Sequence, residues 1–196
     1  MFELFAQYAE KMIPGLTREQ ISLIRSRSAA RKLRKKELVL QEGKVGRYKI
    51  FVAKGLLRNY SISENGNEYI LRFTDAGSWT TDPESYYSGL PSKYNIDAIE
   101  ASEIVMFSHD DFEILKQQIP TLGSFSEALI TANASLVQKR VLMNISASAE
   151  EKYIDFLNTY PDIFHRVPLH MVASYLGVSR ETLTRIRQGL AVGAKY

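Results

Sequence analysis

The sequence predicts an α+β protein: an antiparallel β-roll of the double-stranded β-helix type with flanking helices, one long helix, and an all-α carboxy-terminal segment. Six short β-branched or aromatic runs, punctuated by glycines and with no helical pattern between them, fill the middle of the chain. Closely spaced strands of this kind form a sandwich or barrel. Helical periodicity occupies both ends. We therefore divide the 196 residues into a β-roll over 1–119, a long helix over 120–146 and a helical domain over 147–196.

The composition excludes several classes of protein. Hydrophobic residues make up 45% and charged residues 24%, as in an ordinary globular protein. The absence of cysteine excludes disulfides, thiolate zinc sites, cysteine-ligated iron-sulfur clusters and cysteine nucleophiles. No apolar run reaches the roughly 18 residues of a membrane span, and the start Met1 to Leu4 lacks the basic residues of a secretion signal. We expect a cytoplasmic protein with no membrane partner.

The net charge of +3 conceals a segregation of charge along the chain. Residues 25–58 carry twelve Lys or Arg against two acids, and residues 59–119 carry three bases against eleven acids. The last 34 residues carry five bases and one acid. A basic end on a nearly neutral protein predicts an acidic partner, although solvated surface charge explains the same pattern.

The elements of the first 107 residues follow from their spacing. Helical patterns cover Phe2 to Met12 and Thr17 to Arg25, with Pro14-Gly15 as the break between them. Asn65-Gly66 between two alternating runs predicts a β-hairpin. The predicted strands are Glu37 to Gln41, Tyr48 to Val52, Leu56 to Ile62, Tyr69 to Phe73, Tyr94 to Ile99 and Ile104 to Phe107.

A short helix from Asp110 to about Pro120 precedes the long helix, Thr121 to Ser146. One apolar stripe on the long helix predicts a dimer interface, and a second apolar line lies on another face. A helix with two apolar faces needs two partners, which its own domain and a symmetry mate would supply. Complete burial within one chain is the alternative. The predicted dimer residues are Leu122, Phe125, Leu129, Leu136 and Met143, and the second line is Ile130, Val137, Val141 and Ile145.

An amphipathic helix, Ala149 to Tyr160, is followed by a segment, Leu169 to Ile186, with the pattern of a helix-turn-helix. Ala173 is small enough for a second helix to cross closely, and Gly177, four residues later, allows the left-handed turn between the two helices. Ser179 is placed to cap the second helix. The second helix of such a unit enters the major groove of DNA.

The second helix leaves polar side chains on its outer face because Leu183 and Ile186 face inward. An outward arginine such as Arg180 or Arg185 can donate two hydrogen bonds to guanine, and Glu181 can accept one from the cytosine amino group. Two structural explanations compete with base reading. Glu181 is a favourable charge in the first turn of a helix, and Arg185 is its i+4 partner. Thr184 and Gln188 complete the outward set.

A β-roll, a long helix and the carboxy-terminal run Val-Ser-Arg-Glu-Thr-Leu-Thr-Arg-Ile resemble the Crp-Fnr superfamily of bacterial transcription regulators over nearly the whole chain. The resemblance implies a homodimer joined along the long helix and an inverted-repeat site in double-stranded DNA, with RNA polymerase as a further candidate partner. It implies Arg180, Glu181 and Arg185 as base readers. It also implies that Ser179, Thr182 and His170 contact phosphates.

The chain departs from the cyclic-nucleotide-binding members of the superfamily. Where those members carry Gly-Glu for the ribose and Arg-Ser or Arg-Thr for the cyclic phosphate, alignment through Gly77 places Thr81-Asp82 and Ser92-Lys93. The phosphate arginine is missing, so we expect no tight binding of cyclic AMP or cyclic GMP. The effector is unknown, and we predict no cofactor. The chain ends ten residues after Ile186, which predicts a reduced or absent wing. The predicted effector pocket is Trp79, Thr81, Asp82, Ser92, Lys93 and Tyr94, although core or interface packing is the favoured use of its aromatic rings.

Rival functions find less support in the sequence. A cupin-like metalloenzyme needs clustered ligands, whereas His109, His165 and His170 are spread over two regions. The contiguous run Ser108-His109-Asp110 is not a catalytic triad because neighbours on a strand point apart. We therefore predict no catalytic residues, no metal site and no enzyme. An interaction module with a helical tail that no longer binds DNA remains the alternative.

Overall fold

The structure, a computed structural model, describes residues 1–193, with side chains up to Leu190. Its described part contains helices at both ends and eight strands between them. The helices are α1 (Phe2–Met12), α2 (Arg18–Ser26), α3 (Pro83–Ser88), α4 (His109–Gln118), α5 (Pro120–Ser146), α6 (Ala149–Thr159), α7 (Leu169–Leu176) and α8 (Arg180–Gly193). The strands are β1 (Ala29–Leu33), β2 (Leu38–Leu40), β3 (Tyr48–Lys54), β4 (Leu56–Ile62), β5 (Glu68–Asp75), β6 (Trp79–Thr80), β7 (Asn95–Ala98) and β8 (Ser102–Ser108).

The chain forms two compact units. Residues 1–61 and 72–131 make the first unit, and residues 62–71 and 132–196 make the second. The second unit therefore contains the tip of the β4–β5 hairpin together with the end of α5 and the carboxy-terminal helices. The boundaries expected from the sequence, after residues 119 and 146, stay predictions, since this division follows compactness alone.

Two four-stranded sheets form the predicted antiparallel roll. Their strand orders are β1-β8-β3-β6 and β2-β7-β4-β5. The pairings of β3 with β8 and of β4 with β7 are antiparallel, with Ile50 opposite Met106 and Leu57 opposite Ala98. Inward-facing aliphatic side chains of both sheets form one buried cluster. Gly55, between β3 and β4, has a φ of 99°, and a Cβ there would lie 2.2 Å from the Ser102 hydroxyl, so only glycine fits this corner.

A second, aromatic core lies in the first unit between the sheet and its helices. Phe5 of α1 is 5.2 Å from the ring of Phe51, and Phe112 of α4 is 5.7 Å from that of Phe107. Leu122, in the first turn of α5, belongs to the same cluster. The helical periodicity of α1 and α4 places these side chains on one face, and burying that face fixes the helices on the sheet.

The hairpin predicted at Asn65-Gly66 is present. The strands β4 and β5 are neighbours, and Gly66 has a φ of 78°. The turn is closed by hydrogen bonds from the Ser63 amide to the Asn67 carbonyl and from the Gly66 amide to the Ser63 carbonyl.

Three elements were not predicted. The strand β1 is highly charged and buries only Leu33, so it lacks the alternation by which strands are recognised. The strand β6 has two residues. The helix α3 carries signals that were overlooked: Asp82 caps it, Pro83 is its first residue, and Gly89 ends it in the left-handed conformation.

The long helix differs in exposure along its length. Leu122 is 1% exposed, and Phe125 and Leu129 pack against the aromatic core of the first unit. The beginning of the predicted dimer stripe thus faces its own chain. The exposed apolar side chains beyond it are Ile130, Leu136, Val137, Val141, Leu142 and Ile145, whereas Met143 is half-buried. No helix in the described part of the chain is long and apolar enough to cross a membrane.

Candidate nucleic-acid interface

The second unit contains the helix pair predicted for DNA recognition. The first helix, α7, ends at Gly177, whose φ of 68° is the left-handed conformation expected for the turn. The Val178 amide donates to the Ala173 carbonyl at 3.0 Å, which closes the turn. Ser179 then starts α8, since its hydroxyl accepts a hydrogen bond from the Thr182 amide at 3.1 Å. The predicted turn and cap are both confirmed.

One side of α8 is anchored in the unit and the other is exposed. Leu183 is fully buried, together with Val172, Ala173 and Leu176 of α7. Ile186 is half-buried. The exposed residues of α8 and of the turn before it are Ser179, Arg180, Glu181, Thr184, Arg185, Arg187 and Gln188, and His170 is exposed in the first turn of α7.

The two predicted arginine readers, Arg180 and Arg185, are both exposed. No carboxylate of the described residues forms an ion pair with Arg185, so the i+4 pair with Glu181 is not formed. Arg187, by contrast, lies 5.2 Å over the ring of Phe164. Arg180 and Arg185 therefore present exposed guanidinium groups on the outer face of α8.

Glu181 is engaged by the start of its own helix. Its backbone amide, followed by the Ser179 hydroxyl and then the Arg180 charge, holds the pKa of this carboxyl below its usual range. Negative charge is stabilised at a helix amino terminus. Glu181 therefore has the structural role considered from the sequence, that of a favourable charge in the first turn of a helix. Thr182 is half-buried, and its amide donates to the Ser179 hydroxyl.

The charge segregation noted in the sequence is partly neutralised within the first unit. Arg27 pairs with Asp111 at 2.9 Å, and Arg58 forms a buried bidentate pair with Asp97 at 2.8 and 3.0 Å. These pairs join the basic segment 25–58 to the acidic segment 59–119. The basic carboxy-terminal segment of the chain has no acidic segment of this kind in its sequence.

The residues predicted for an effector pocket do not line one common pocket. Trp79 is buried among the aromatic core rings, 5.4 Å from Phe51, which corrects its assignment to a pocket in favour of core packing. Thr81 is half-buried and donates to the Tyr48 carbonyl at 3.0 Å. Lys93 is exposed, and its ammonium group pairs with Glu84 at 3.0 Å. Its hydrogen bonds to that carboxylate raise the pKa of Lys93.

Asp82 and Ser92 are brought together and bond to each other. The Ser92 hydroxyl donates to Asp82 at 2.6 Å, and the Ser85 amide donates to the other carboxylate oxygen at 3.3 Å. Both side chains are about as buried as the core, and the half-buried Tyr94 donates its backbone amide to the Ser92 hydroxyl at 3.0 Å. The side chains of Asp82 and Ser92 thus satisfy one another.

A cavity of about 280 Å³ in the first unit includes Asp82 but none of the other predicted pocket residues. Its wall is mainly apolar, with two basic side chains, Lys44 and Arg47. No local sequence pattern indicates this cavity, because its residues come mainly from several strands and from the loop between β2 and β3. The apolar lining residues are Leu38, Val39, Leu40, Val45, Ile50 and Ile96. No group of three or more metal-ligating side chains occurs among the residues that the structure describes.

Comparisons with known proteins agree with this architecture. Residues 30–118 match the family model of the cyclic nucleotide-binding domain. No curated protein sequence matches the chain.

Solved structures match the chain over most of its length. FixK2 from Bradyrhizobium japonicum has a TM-score of 0.74 at 18% identity, covering 85% of this chain and 86% of its own. CLP, a c-di-GMP-responsive global regulator from Xanthomonas campestris, has a TM-score of 0.71 at 14% identity, covering 91% and 93%. A candidate Crp/Fnr-family transcriptional regulator from Eubacterium rectale has a TM-score of 0.69 at 18% identity, covering 94% and 89%. The chain therefore has the fold of Crp/Fnr regulators, with a segment that matches the cyclic nucleotide-binding domain.

Proposed function

We propose that the protein is a sequence-specific DNA-binding transcription regulator that acts as a homodimer through a helix-turn-helix formed by α7 and α8. The observation that carries this proposal is the geometry of α8. Leu183 anchors one side of the helix, while Arg180 and Arg185 extend from the other into solvent. A helix with exposed guanidinium groups near its amino terminus fits a major groove.

Base reading rests chiefly on the two arginines in this proposal. Each guanidinium can donate to guanine O6 and N7 together, so each half-site should contain at least one G·C pair. Glu181 stabilises the start of α8, and it reads a cytosine only if it gives up that role. The exposed hydroxyl of Ser179, the exposed ring of His170 and the half-buried hydroxyl of Thr182 are the proposed phosphate contacts.

Dimerisation is proposed through the exposed second half of α5. Ile145 is 80% exposed and Val137 is 63% exposed, which a single chain leaves uncovered. Two copies of α5 would bury this surface and relate the two α8 helices by a two-fold axis. Their half-sites should lie about one helical turn apart, roughly 34 Å.

Sedimentation of the purified protein tests the dimer. We expect a dimer at micromolar concentration and monomers after Leu136→Glu combined with Val141→Glu. The dimer interface of this variant would bury unpaired charge. Gln138→Glu, on the same exposed helix, is the matched control and should leave the dimer intact. A wild type that sediments as a monomer would contradict the proposal.

Titration on duplex DNA tests whether Arg180 and Arg185 contact bases. A site selected from random duplexes and a scrambled version are titrated with wild type, Arg180→Ala and Arg185→Ala at two salt concentrations. Each variant should lose about 1 to 3 kcal/mol on the selected site and relax its preference at one base pair. Affinity for both duplexes should fall with salt. Equal binding of all three proteins to both duplexes would remove the assignment.

For the effector, we propose that neither cyclic AMP nor cyclic GMP binds tightly. The two groups that would meet the ribose and phosphate are already bonded, Asp82 to Ser92 and Lys93 to Glu84. Neither position offers the bidentate fork of an arginine. Calorimetry that gave a micromolar dissociation constant for either nucleotide would contradict this expectation.

The second candidate function is an interaction module without DNA binding. The exposed apolar half of α5 favours it, because the same surface fits a protein partner. Retention on duplex DNA at low salt separates the two candidates: the module would not be retained.

A further inference from the structure

Arg140 of the second unit contacts two other elements of the chain. It lies in the second half of α5, and its guanidinium donates hydrogen bonds to three backbone carbonyls. One is the Tyr175 carbonyl at 2.9 Å, another is that of Ile70 at 3.0 Å, and the third is that of Leu71. The guanidinium carbon also lies 4.0 Å from the centre of the Tyr175 ring. A single side chain therefore connects α5, α7 and the hairpin strand β5.

Ser174 makes a second connection between the same strand and the same helix. Its hydroxyl donates to the Glu68 carbonyl at 2.6 Å and accepts from the Ile70 amide at 3.0 Å. β5 is an edge strand, and edge strands leave backbone groups without a partner strand. Ser174 thus bonds to two backbone groups of this edge strand.

The chemistry of Arg140 suits this position. The last carbonyls of a helix lack partners within the helix and carry partial negative charge, and Tyr175 is in the last turn of α7. A guanidinium has five donors in a rigid plane and keeps its charge at any physiological pH, whereas an ammonium group is a point charge without a fixed fork. Lysine at this position cannot hold three carbonyls and stack on a ring in the same geometry.

We propose that Arg140 and Ser174 form a latch between β5 and α7, and that Arg140 is the residue that positions α8 for DNA. This inference rests on the proposed function. The turn at Gly177 joins α7 rigidly to α8, so a helix held at α7 fixes the orientation of the arginines beyond the turn.

The latch is tested with Arg140→Met, which keeps the aliphatic stem, with Arg140→Lys, which keeps the charge, and with Ser174→Ala. Lys139→Met is the matched control, because the neighbouring Lys139 makes an exposed ion pair with Asp155. Hydrogen exchange of the peptide containing residues 68–71 reports the strand. We expect roughly tenfold faster exchange or more in Arg140→Met, an intermediate rate in Arg140→Lys, and no change in the control. An unchanged rate in Arg140→Met would overturn the latch.

The positioning role needs a readout that is independent of DNA. The chain has no cysteine, so Asn65→Cys combined with Gln188→Cys accepts spin labels at those two sites alone. Wild type and Lys139→Met should give one narrow distance distribution, and Arg140→Met and Ser174→Ala should give a broad one. Equal widths in all four proteins would overturn positioning by Arg140.

DNA affinity then separates this inference from the proposed function. With an intact helix content by circular dichroism, Arg140→Met should bind the selected duplex several-fold more weakly than wild type, and Arg140→Lys should not restore full affinity. Faster exchange with unchanged affinity would show that the latch does not position α8. If wild type fails to bind DNA, the proposed function is wrong, while the exchange and distance measurements still decide the latch.

Discussion

Polar side chains of the first unit and of helix α8 in the second unit differ in burial. In the first unit Asp97 is buried against Arg58, Asp82 against Ser92, and Lys49 donates to Ser126 at 3.0 Å. On α8, Arg180 and Arg185 remain exposed. Buried polar groups with partners contribute to folding, whereas exposed cations remain available to a ligand. The difference indicates which residues to change for stability and which for binding.

The largest effect on stability is expected at the buried pair of Arg58 and Asp97, which are each 7% exposed. Asp97→Ala leaves the guanidinium in the protein interior without its carboxylate and should cost about 3 to 5 kcal/mol of unfolding free energy. Urea unfolding followed by circular dichroism measures the loss. The double variant Arg58→Met with Asp97→Leu should be less destabilised than Asp97→Ala, and a larger loss in the double variant would contradict this explanation.

A smaller loss of unfolding free energy is expected at Asp82. Asp82→Ala removes the acceptor of the buried Ser92 hydroxyl and the cap of α3, and should cost about 2 to 3 kcal/mol in urea unfolding. Lys93→Ala, one residue beyond Ser92, removes an exposed pair and should leave the unfolding midpoint nearly unchanged. If the two variants unfold alike, Asp82 is not the structural residue that its contacts indicate.

The partly buried Lys49 should make the free energy of unfolding depend on pH. Burial lowers the pKa of Lys49 to about 8, with the nearby Lys116 adding to this shift and Glu113 opposing it. Between pH 8 and 10.5 the unfolded chain binds more protons than the folded one, so the unfolding free energy should rise with pH across this window.

Lys49→Met should flatten that rise, measured by urea unfolding between pH 8 and about 9.5, below the range where tyrosines ionise. Burial raises the pKa of Tyr86, which acts in the opposite direction only at higher pH. Lys54→Met, at an exposed residue on the same strand, is the control. Identical slopes for wild type and Lys49→Met would contradict the assignment.

The smallest effect on stability is expected on α8. Arg180→Ala and Arg185→Ala should each change the unfolding free energy by no more than about 0.5 kcal/mol, because both side chains are exposed. Their loss of DNA affinity would then be a loss of contacts and not of folding. Unfolding midpoints well below that of wild type would remove the contrast between the two regions.

The parts of the fold that were predicted from sequence depend on local signals. The hairpin at Asn65-Gly66, the left-handed Gly177 and the cap at Ser179 are each set by residues within one turn of the backbone. The helix α5 was predicted almost to its ends from an uninterrupted helical pattern. The strand β1 was not, because its pairing with β8 holds it in place while its side chains are mostly exposed.

The sequence by itself determined where most of the helices and strands lie and which face of α8 is polar, because caps, turns and periodicity act over a few residues. Only the tertiary structure decided that Leu122 of α5 is covered while Val137 is exposed, and that Trp79 packs in the core. It also decided that Arg140 meets Ile70, seventy residues away. The residues that cover an apolar side chain or bond to a polar one come from segments distant in sequence. The periodicity of a helix carries no information about which segment lies opposite each face.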